Sequence, residues 1–408
     1  MEHNFLYMQS GGPTAVINAS AYGALSCALN SKEIDHVYAG LYGIEGFMDG
    51  KVIEIKKEDR KELSYLLQTP GAAFGSCRKK LKDFRDDPSD YRKIDGMLDR
   101  YHISYIAYNG GNDSMDTVYQ YGMYLKEEGI RDRFIVGIPK TVDNDLTETD
   151  HTPGYGSAAK YIASAFSEIV ADSSSYEKGK VNIVELMGRD AGWLTLSSSL
   201  ADLSGKGPDR IYLPEYPFDI HEFLKDVESV YREKHVAFFA VSEGIADQDG
   251  RPIGESGKKD AFGHPQLGGV SSYLASLVSE KGYKVRAIEF NVPQRCDLSC
   301  RSKTDVTEAL ICGEKAVQAL LNHESGKMVA LKRVSYDPYK IEYVLKDASL
   351  IGNKVRYIDP SYYDLKTKKA TEAFFSYALP LIEGDVPLQK EHGLPRFFSL
   401  KNLSEYGK

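Results

Sequence analysis

Residues 4–29 read NFLYMQSGGPTAVINASAYGALSCAL, and this segment indicates the kind of fold that the chain adopts. Residues 4–9 form a short apolar run of strand type, residues 10–13 a tight turn, and residues 14–29 place small and apolar side chains on one helical face. Pro13 suits a first helical turn, where its missing N–H costs nothing. This order of strand, glycine-rich turn and helix predicts the first unit of a parallel α/β sheet.

The same order recurs along the chain, as expected for a mostly parallel sheet with covering helices. The further predicted strands are residues 103–108, 134–138, 181–186, 210–213, 236–242 and 284–290, and a second helix is predicted over residues 114–128. The polar, glycine-rich passage 143–156 predicts a domain boundary. The passage 246–264 is long for a loop and predicts a lid or a mobile segment. From about residue 327 the pattern stops, and we interpret the tail as an accessory segment.

The composition indicates a globular protein of two or three domains. The 408 residues are 42% hydrophobic and 27% charged, which excludes a disordered chain. Lys and Arg number 51 against 59 Asp and Glu, so the net charge is −8, and no basic run predicts a nucleic-acid or membrane partner. No apolar stretch approaches the roughly 20 residues of a membrane helix, and the signal-peptide layout is missing. Five cysteines without a CxxC pair fit a reducing compartment, so we expect a cytoplasmic protein.

Glycines follow two of the predicted strands, at the end where a parallel sheet binds ligands. The first pair is Gly11 and Gly12, and the second is Gly110 and Gly111. Glycine turns that open helices offer backbone N–H groups and the helix dipole to a phosphate, because no side chain obstructs its approach. The two turns therefore predict a phosphate-binding site.

The passage after the strand at residues 134–138 carries charged groups suited to catalysis. Asp143 and Asp145 lie two residues apart, so in an extended loop both carboxylates can face one hydroxyl, one as general base and one as its support. Lys140 and Arg189 supply the cations that phosphoryl transfer needs, since that reaction depends on positioning and charge stabilisation. These residues predict phosphoryl transfer to a sugar hydroxyl. The sequence contains no P-loop motif, which excludes a P-loop kinase.

Four sequence strings resemble, in order and spacing, the phosphofructokinase family. They are SGGP at residues 10–13, GGNDS at residues 110–114, PKTVDND at residues 139–145 and MGRDAG at residues 187–192, within a resemblance that extends to about residue 320. It implies an α/β fold of two Rossmann-like parallel-sheet domains with covering helices, an active site in the cleft between them, and a C-terminal accessory segment. The phosphoryl-donor domain would take residues 1–150 and about 287–325, the sugar-phosphate domain residues 151–286, and the accessory segment residues 326–408.

The resemblance also implies roles for individual residues. Asp143 would be the base that removes the proton from the sugar 1-hydroxyl, with Asp145 and Thr141 beside the transferring phosphoryl group. The expected catalytic set is Asp143, Asp145, Lys140, Asp113, Thr141 and Arg189. The expected donor ligands are Gly11, Gly12, Arg78, Gly111, Asp113 and Lys140. The expected sugar-phosphate ligands are Thr141, Asp143, Met187, Gly188, Arg189, Glu243, Arg286 and Arg295, of which the last two resemble arginines that bind the 6-phosphate.

Two positions bear on the phosphoryl donor. ATP-using members of the family resemble GGDG and GTIDND at the strings where this chain has GGND and KTVDND. The carboxylate of Asp113 would overlap and repel the α-phosphate of a nucleotide, whereas pyrophosphate ends before that point. Lys140 can neutralise the departing phosphate. Asn112 replaces the acidic residue that usually holds Mg²⁺, so the metal would be bound by a neutral carbonyl and by pyrophosphate oxygens.

The resemblance therefore implies the pyrophosphate-dependent branch of the family. We expect a reversible glycolytic transfer of phosphate from pyrophosphate to the 1-hydroxyl of fructose 6-phosphate, giving fructose 1,6-bisphosphate, with Mg²⁺ as cofactor. A homo-oligomer, dimer or tetramer, is the expected assembly. The alternatives are an ATP-dependent 6-phosphofructokinase and a non-catalytic sugar-phosphate-binding regulator. The regulator is favoured by Asn112 and by Lys180 and Val292, which replace an Arg and a His of many bacterial members. Asp143 and Lys140 oppose it.

Overall fold

The structure, a computed structural model, describes residues 3–254 and 269–403, so the predicted lid or mobile segment at residues 246–264 lies partly outside the described residues. In chain order the strands are β1 (Asn4–Gln9), β2 (Val37–Gly40), β3 (Val52–Ile55), β4 (Ile103–Gly110), β5 (Phe134–Pro139), β6 (Val181–Leu186), β7 (Arg210–Tyr212), β8 (Ala237–Ser242), β9 (Val285–Glu289), β10 (Lys327–Tyr336), β11 (Tyr339–Asp347), β12 (Tyr363–Asp364), β13 (Lys369–Ala370), β14 (Lys390–Glu391) and β15 (Leu394–Pro395). The α-helices are α1 (Ile17–Asn30), α2 (Gly43–Met48), α3 (Arg60–Leu63), α4 (Ser89–Arg100), α5 (Asn112–Glu127), α6 (Tyr155–Ser173), α7 (Trp193–Ser197), α8 (Ile220–Lys234), α9 (Val270–Glu280), α10 (Lys303–Leu321) and α11 (Glu372–Ala378).

The larger sheet has seven strands in the order β11-β10-β5-β4-β1-β2-β3. Its five central strands run parallel, since β1 pairs in parallel with β2 and β4, β4 with β5, and β5 with β10. The edge strands β3 and β11 are antiparallel to their neighbours. The chain leaves β1 towards β2 on one side and returns to β4 on the other. The carboxyl ends of β1 and β4 therefore form the crevice where doubly wound sheets bind ligands.

The smaller sheet has four parallel strands in the order β7-β8-β6-β9. Every residue of β6 and β8 is buried, as expected for parallel strands whose two faces are both covered. The core on one face includes side chains of α6, and the core on the other includes side chains of α8 and α9. The predicted fold class, two Rossmann-like units of sheet and covering helices, is confirmed.

The predicted elements agree closely with the observed ones. β1 and β6 have the predicted bounds, and the other five strands differ by one or two residues at an end. Helix α1 begins at Ile17 and not at residue 14, because the Thr14 hydroxyl accepts a hydrogen bond from the Val16 N–H (3.2 Å) in a turn before the helix. Helix α5 begins at Asn112, two residues before the predicted start, because Gly111 is extended and its carbonyl accepts the first helical hydrogen bonds.

The C-terminal part of the chain contributes two long strands that the sequence pattern did not predict. β10 pairs with β5 and β11 pairs with β10, so residues 327–347 extend the larger sheet. The second half of β10 alternates between exposed and half-buried residues. This half therefore lacks the continuous apolar run from which the other strands were predicted. The predicted domain limits stay a prediction. No helix in the described ranges is both long and apolar enough to cross a membrane.

Candidate active site

A cavity of about 350 Å³ lies where loops from the carboxyl ends of both sheets meet. Loops after β1, β4 and β5 form one side, and loops after β6 and β8 form the other. All predicted site residues except Gly188 and Arg286 line it. The lining consists of Ser10, Gly11, Gly12, Pro13, Arg78, Lys79, Gly111, Asn112, Asp113, Ser114, Lys140, Thr141, Val142, Asp143, Asp145, Met187, Arg189, Asp190, Glu243 and Arg295.

The turn after β1 presents its backbone to the cavity. Gly11 has a φ of +77°, and a Cβ there would lie 2.9 Å from the Lys140 ammonium, so both conformation and space require glycine. The Gly11 N–H donates to the Cys77 carbonyl at 2.9 Å, and the Ser76 hydroxyl donates to the Gly11 carbonyl at 2.7 Å. These bonds fix the turn. An anion can therefore approach the turn and Lys140 with no intervening side chain.

Lys140 follows β5 and is almost completely buried, with 3% of its surface exposed. Its ammonium donates to the Gly12 carbonyl at 2.7 Å. Burial lowers the pKa of Lys140 to about 8, opposed by the carboxylates of Asp143 and Asp145 and assisted by two nearby arginines. The ammonium is thus protonated at neutral pH; it bonds to the glycine turn and interacts electrostatically with the carboxylate pair.

The two aspartates of the predicted catalytic pair flank Asn144, whose φ of +55° is left-handed. The Thr141 hydroxyl donates to Oδ2 of Asp143 at 3.3 Å and accepts the Asp143 N–H at 3.1 Å. Burial raises the pKa of both carboxyl groups, and the charge of Asp143 raises that of Asp145 further. Because the two groups interact, they titrate as a pair, and the pair can accept a proton under mild conditions.

The opposite wall of the cavity contains the residues predicted to hold the sugar. The Gly188 N–H donates to Oε1 of Glu243 at 3.3 Å, so Gly188 orients this carboxyl group without lining the cavity itself. Burial raises the pKa of Glu243 to about 7. The Met187 N–H donates to Oε1 of Gln294 at 3.2 Å, and the Gln294 amide donates to the Asn291 carbonyl at 3.1 Å. Gln294, which follows β9, is buried, and the sequence did not predict its role as a support for Met187.

Arginines form a cationic part of the lining. A Cβ on Gly12 would lie 3.6 Å from Nη1 of Arg295 and 3.9 Å from Nη2 of Arg78. Both guanidinium groups therefore lie close to the glycine turn, although the resemblance assigns Arg295 to the sugar 6-phosphate. Arg286 lies on β9 outside the cavity, with Nη1 3.5 Å from Oδ2 of Asp172. Its predicted contact with the 6-phosphate stays a prediction.

The predicted metal ligand Asn112 is bound by a distant segment. The Asn353 N–H donates to its Oδ1 at 2.5 Å, and its Nδ2 donates to the Lys354 carbonyl. Residues 3–254 and 269–403 contain no group of three or more His, Cys, Asp or Glu side chains placed to hold a metal ion. A divalent cation would therefore depend mainly on the oxygen atoms of a phosphate ligand, with one lone pair of Asn112 Oδ1 remaining.

The cavity also contains residues that sequence reasoning did not assign to the site. Five of them lie within the four motif strings, and their place in those strings was the available signal. Lys79 lies outside the strings, and its ammonium is 2.9 Å from a carboxylate oxygen of Asp90. The unassigned lining residues are Ser10, Pro13, Lys79, Ser114, Val142 and Asp190.

Comparison with known proteins places this arrangement in a family. Residues 4–320 match the family model described as Phosphofructokinase. The chain belongs to the phosphofructokinase family. The family recognised from the four motif strings is thereby confirmed.

Full-length relatives extend the phosphofructokinase match. The chain is 39% identical to the pyrophosphate–fructose 6-phosphate 1-phosphotransferase of Xanthomonas campestris pv. campestris, with 98% of this chain and 97% of the relative covered. It is 37% identical to the protein of the same name from Halomonas elongata, with 98% and 96% covered. The solved structure of a pyrophosphate-dependent phosphofructokinase from Nitrosospira multiformis matches with a TM-score of 0.86 at 32% identity, with 97% and 96% covered. The fold and the resemblance to the pyrophosphate-dependent branch are confirmed.

Proposed function

We propose that this phosphofructokinase transfers a phosphoryl group from pyrophosphate to the 1-hydroxyl of fructose 6-phosphate, giving fructose 1,6-bisphosphate and phosphate. The proposal is carried by the buried Lys140 ammonium, which bonds to the glycine turn and interacts electrostatically with the carboxylate pair. A cation there can neutralise the departing phosphate while a carboxylate takes the hydroxyl proton. The names of two relatives support the same reaction.

Each group of the site has a defined task in the transfer. Asp143 accepts the proton of the sugar 1-hydroxyl, and the hydroxyl oxygen bonds to the nearer phosphorus of pyrophosphate as the bridging P–O bond breaks. The bridging oxygen stays with the leaving phosphate, and its added negative charge is stabilised by Lys140. The Thr141 hydroxyl, 3.3 Å from Asp143, orients the base. The transferred proton remains on Asp143 until the product leaves.

The residues proposed to bind fructose 6-phosphate are assigned from their hydrogen bonds and charges. Glu243 accepts one hydrogen bond from the Gly188 N–H, and its other oxygen is available to a sugar hydroxyl. Arg189 and Arg295 line the same cavity and offer guanidinium forks to a phosphate. Arg286 is assigned to the 6-phosphate by the resemblance alone.

The preference for pyrophosphate over ATP is assigned to Asp113. This residue lines the cavity in the first turn of α5, with 78% of its side chain exposed and Lys80 4.0 Å away. A carboxylate there repels the additional phosphate of a nucleotide that extends towards solvent. Pyrophosphate has no such extension, so the charge of Asp113 discriminates between the donors.

We further propose Mg²⁺ as the divalent cation. When bound, it would neutralise charge on the pyrophosphate oxygens, and Asn112 is the protein ligand proposed for it. Oδ1 of Asn112 already accepts a hydrogen bond from the Asn353 N–H, so it would bind the metal through its second lone pair. The homo-oligomeric assembly and the cytoplasmic location also remain proposals.

The decisive test is an assay of the purified protein with fructose 6-phosphate and each donor separately. We expect fructose 1,6-bisphosphate and phosphate in equal amounts from pyrophosphate, and a higher kcat/KM with pyrophosphate than with ATP. A preference for ATP would assign the chain to the ATP-dependent alternative. Binding of fructose 6-phosphate without turnover with either donor would support the non-catalytic regulator.

A further inference from the structure

A four-residue segment after β11, residues 353–356, contacts both loops that carry the proposed catalytic groups, and we call it the strap. On the donor side the Asn353 N–H donates to Oδ1 of Asn112 at 2.5 Å, while Nδ2 of Asn112 donates to the Lys354 carbonyl. Both polar atoms of the Asn112 amide are thereby fixed by the backbone of the strap. Asn112 directly precedes Asp113, so these bonds tie the strap to the turn at residues 110–113, which we call the donor loop.

On the acceptor side the strap binds the loop between β5 and α6 through Arg356. Its Nε and Nη2 donate to the Asn144 carbonyl at 3.2 and 2.8 Å. Its Nη1 donates to the Thr149 carbonyl at 3.2 Å and to the Asp150 carbonyl. Its backbone N–H donates to the Asp145 carbonyl at 2.7 Å. One residue therefore satisfies four carbonyl groups of the loop that presents the carboxylate pair.

The bonds from Arg356 reach Asn144, whose backbone conformation needs support from the surrounding structure. Asn144, between the two aspartates, has a left-handed φ of +55°, a conformation that costs free energy for a residue other than glycine. Its side chain donates to the Tyr377 hydroxyl at 2.8 Å and accepts the Thr152 N–H at 3.0 Å, so this conformation is held from both sides. The left-handed turn sets the relative directions of the two carboxylates.

The strap is itself anchored to the loop side of the smaller sheet. The Trp193 indole N–H donates to the Arg356 carbonyl at 2.9 Å, and the guanidinium lies 4.4 Å from the centre of the indole ring. Two residues further on, the Ile358 N–H donates to Oε1 of Glu215 at 3.1 Å, and the same oxygen accepts the Gly192 N–H at 2.9 Å. The strap is therefore held on both sides of the cavity.

From this geometry we infer that the 353–356 strap is a positioning element of the enzyme, in which Arg356 sets the carboxylate loop and the 353–354 backbone sets the donor loop. The inference rests on the proposed function, because it assumes that these two loops meet at one reaction. Arg356 touches no reacting atom and acts through Asn144 and Asp145. A misplacement of about 1 Å at reacting groups can lower turnover on the order of 10²-fold.

A positioning role has a signature that a purely structural role lacks. The principal charged groups acting on Asp145 are Asp143, which raises its pKa, and Lys140 and Arg356, which lower it against the dominant effect of burial. Removal of the guanidinium therefore raises the pKa of Asp145 further. The acidic limb of the pH–kcat profile then moves to higher pH, together with a lower kcat and a small change in the KM of fructose 6-phosphate.

The test compares Arg356→Met and Arg356→Lys with the parent enzyme in full-length form. We expect kcat to fall on the order of 10²-fold in Arg356→Met, and by less in Arg356→Lys, because an ammonium keeps the charge but cannot bond three carbonyls in one plane. The matched control is Arg396→Met, which removes a guanidinium stacked 4.6 Å from Tyr65 and paired with Glu62, away from the cavity. This control should keep the parental kcat and pH profile.

Hydrogen–deuterium exchange of residues 143–150 gives a readout that does not depend on activity. We expect faster exchange of this loop in both Arg356 variants and parental exchange in Arg396→Met. A folded Arg356→Met enzyme with parental kcat and pH profile would overturn the inference, and if that variant does not fold, parental kinetics in Arg356→Lys would do so. If the parent enzyme lacks the proposed activity, only the proposed function is contradicted. Unchanged exchange of residues 143–150 in the Arg356 variants would then contradict the positioning role of the strap.

Discussion

Replacement of Lys140 by Met tests the central electrostatic argument, because Met has a similar length and no charge. Removal of one transition-state charge stabiliser typically lowers kcat by about 10² to 10³, or about 3 to 4 kcal/mol of barrier. We expect that loss in Lys140→Met for turnover with pyrophosphate. The parent should lose activity as the pH rises through about 8, where Lys140 loses its proton, and the variant should lack this limb.

The same change should not destabilise the protein, and the structure gives the reason. Burial lowers the pKa of Lys140 from 10.5 to about 8, so the charged form destabilises the folded state by about 3 kcal/mol at neutral pH, from 2.5 pKa units at about 1.36 kcal/mol each. Loss of the bond to the Gly12 carbonyl offsets about 1 kcal/mol of this. The free energy of unfolding of Lys140→Met should therefore exceed that of the parent by about 2 kcal/mol at pH 7.

The pH dependence has a defined sign. Between pH 8 and 10.5 the unfolded chain retains the lysine proton that the folded protein has lost, so parental stability rises with pH and the advantage of the variant shrinks. Urea unfolding at pH 7 and pH 9.5, together with kcat at each pH, measures both effects.

The matched control is Lys160→Met, because Lys160 also donates to a backbone carbonyl, that of Gly384, at 2.7 Å but lies outside the cavity. Parental turnover in Lys140→Met would refute the role of Lys140 in stabilising the leaving phosphate. A loss of activity that only matches a loss of folded protein would refute it as well.

Three further substitutions test other parts of the site. Asp143→Asn should lower kcat by roughly 10² to 10⁴ with a small change in the sugar KM, measured by steady-state kinetics; near-parental turnover would leave Asp145 as the base. Asp113→Gly should strengthen ATP binding in calorimetric titration without improving use of pyrophosphate, and unchanged ATP binding in a folded variant would contradict the charge argument. Glu243 has a pKa raised to about 7, so parental stability should decline from pH 4.5 to pH 7; Glu243→Gln should show a smaller decline in urea unfolding, and an equal decline would argue against this shift.

The parts of the fold that sequence predicted well are those with local signals. β1, its glycine turn and α1 follow one another within 27 residues, and each step has its own residue chemistry. Lys140, Asp143 and Asp145 follow directly from the end of β5, so their place in the crevice followed once the sheet was predicted. The glycines that follow β1 and β4 were placed in the cavity for the same reason, because they lie at the carboxyl ends of parallel strands.

The parts that were missed depend on contacts between distant segments. Asn112 and Asn353 are separated by 241 positions, and Asn144 and Arg356 by 212, so no spacing rule connects them. The strap carries no glycine turn and no carboxylate pair, and nothing in the sequence around Arg356 distinguishes it from other arginines of the chain. Arg286 is known only from the resemblance; its side chain lies near Asp172 outside the cavity, and its contact with the 6-phosphate stays a prediction.

The opposed pKa shifts in the cavity give a physical reason for fixing the loop at residues 143–150 by many hydrogen bonds. Burial lowers the pKa of Lys140 and raises the pKa of Asp145 and of Glu243, so each charged form is kept at a free-energy cost. A loop that moved the aspartates onto the ammonium would form an ion pair, which would weaken the base and engage the leaving-group cation. In the positioning role that we infer, Arg356 opposes that movement by binding the carbonyls of residues 144, 145, 149 and 150. The charges therefore remain separate and are stabilised when pyrophosphate and the sugar hydroxyl supply their complements.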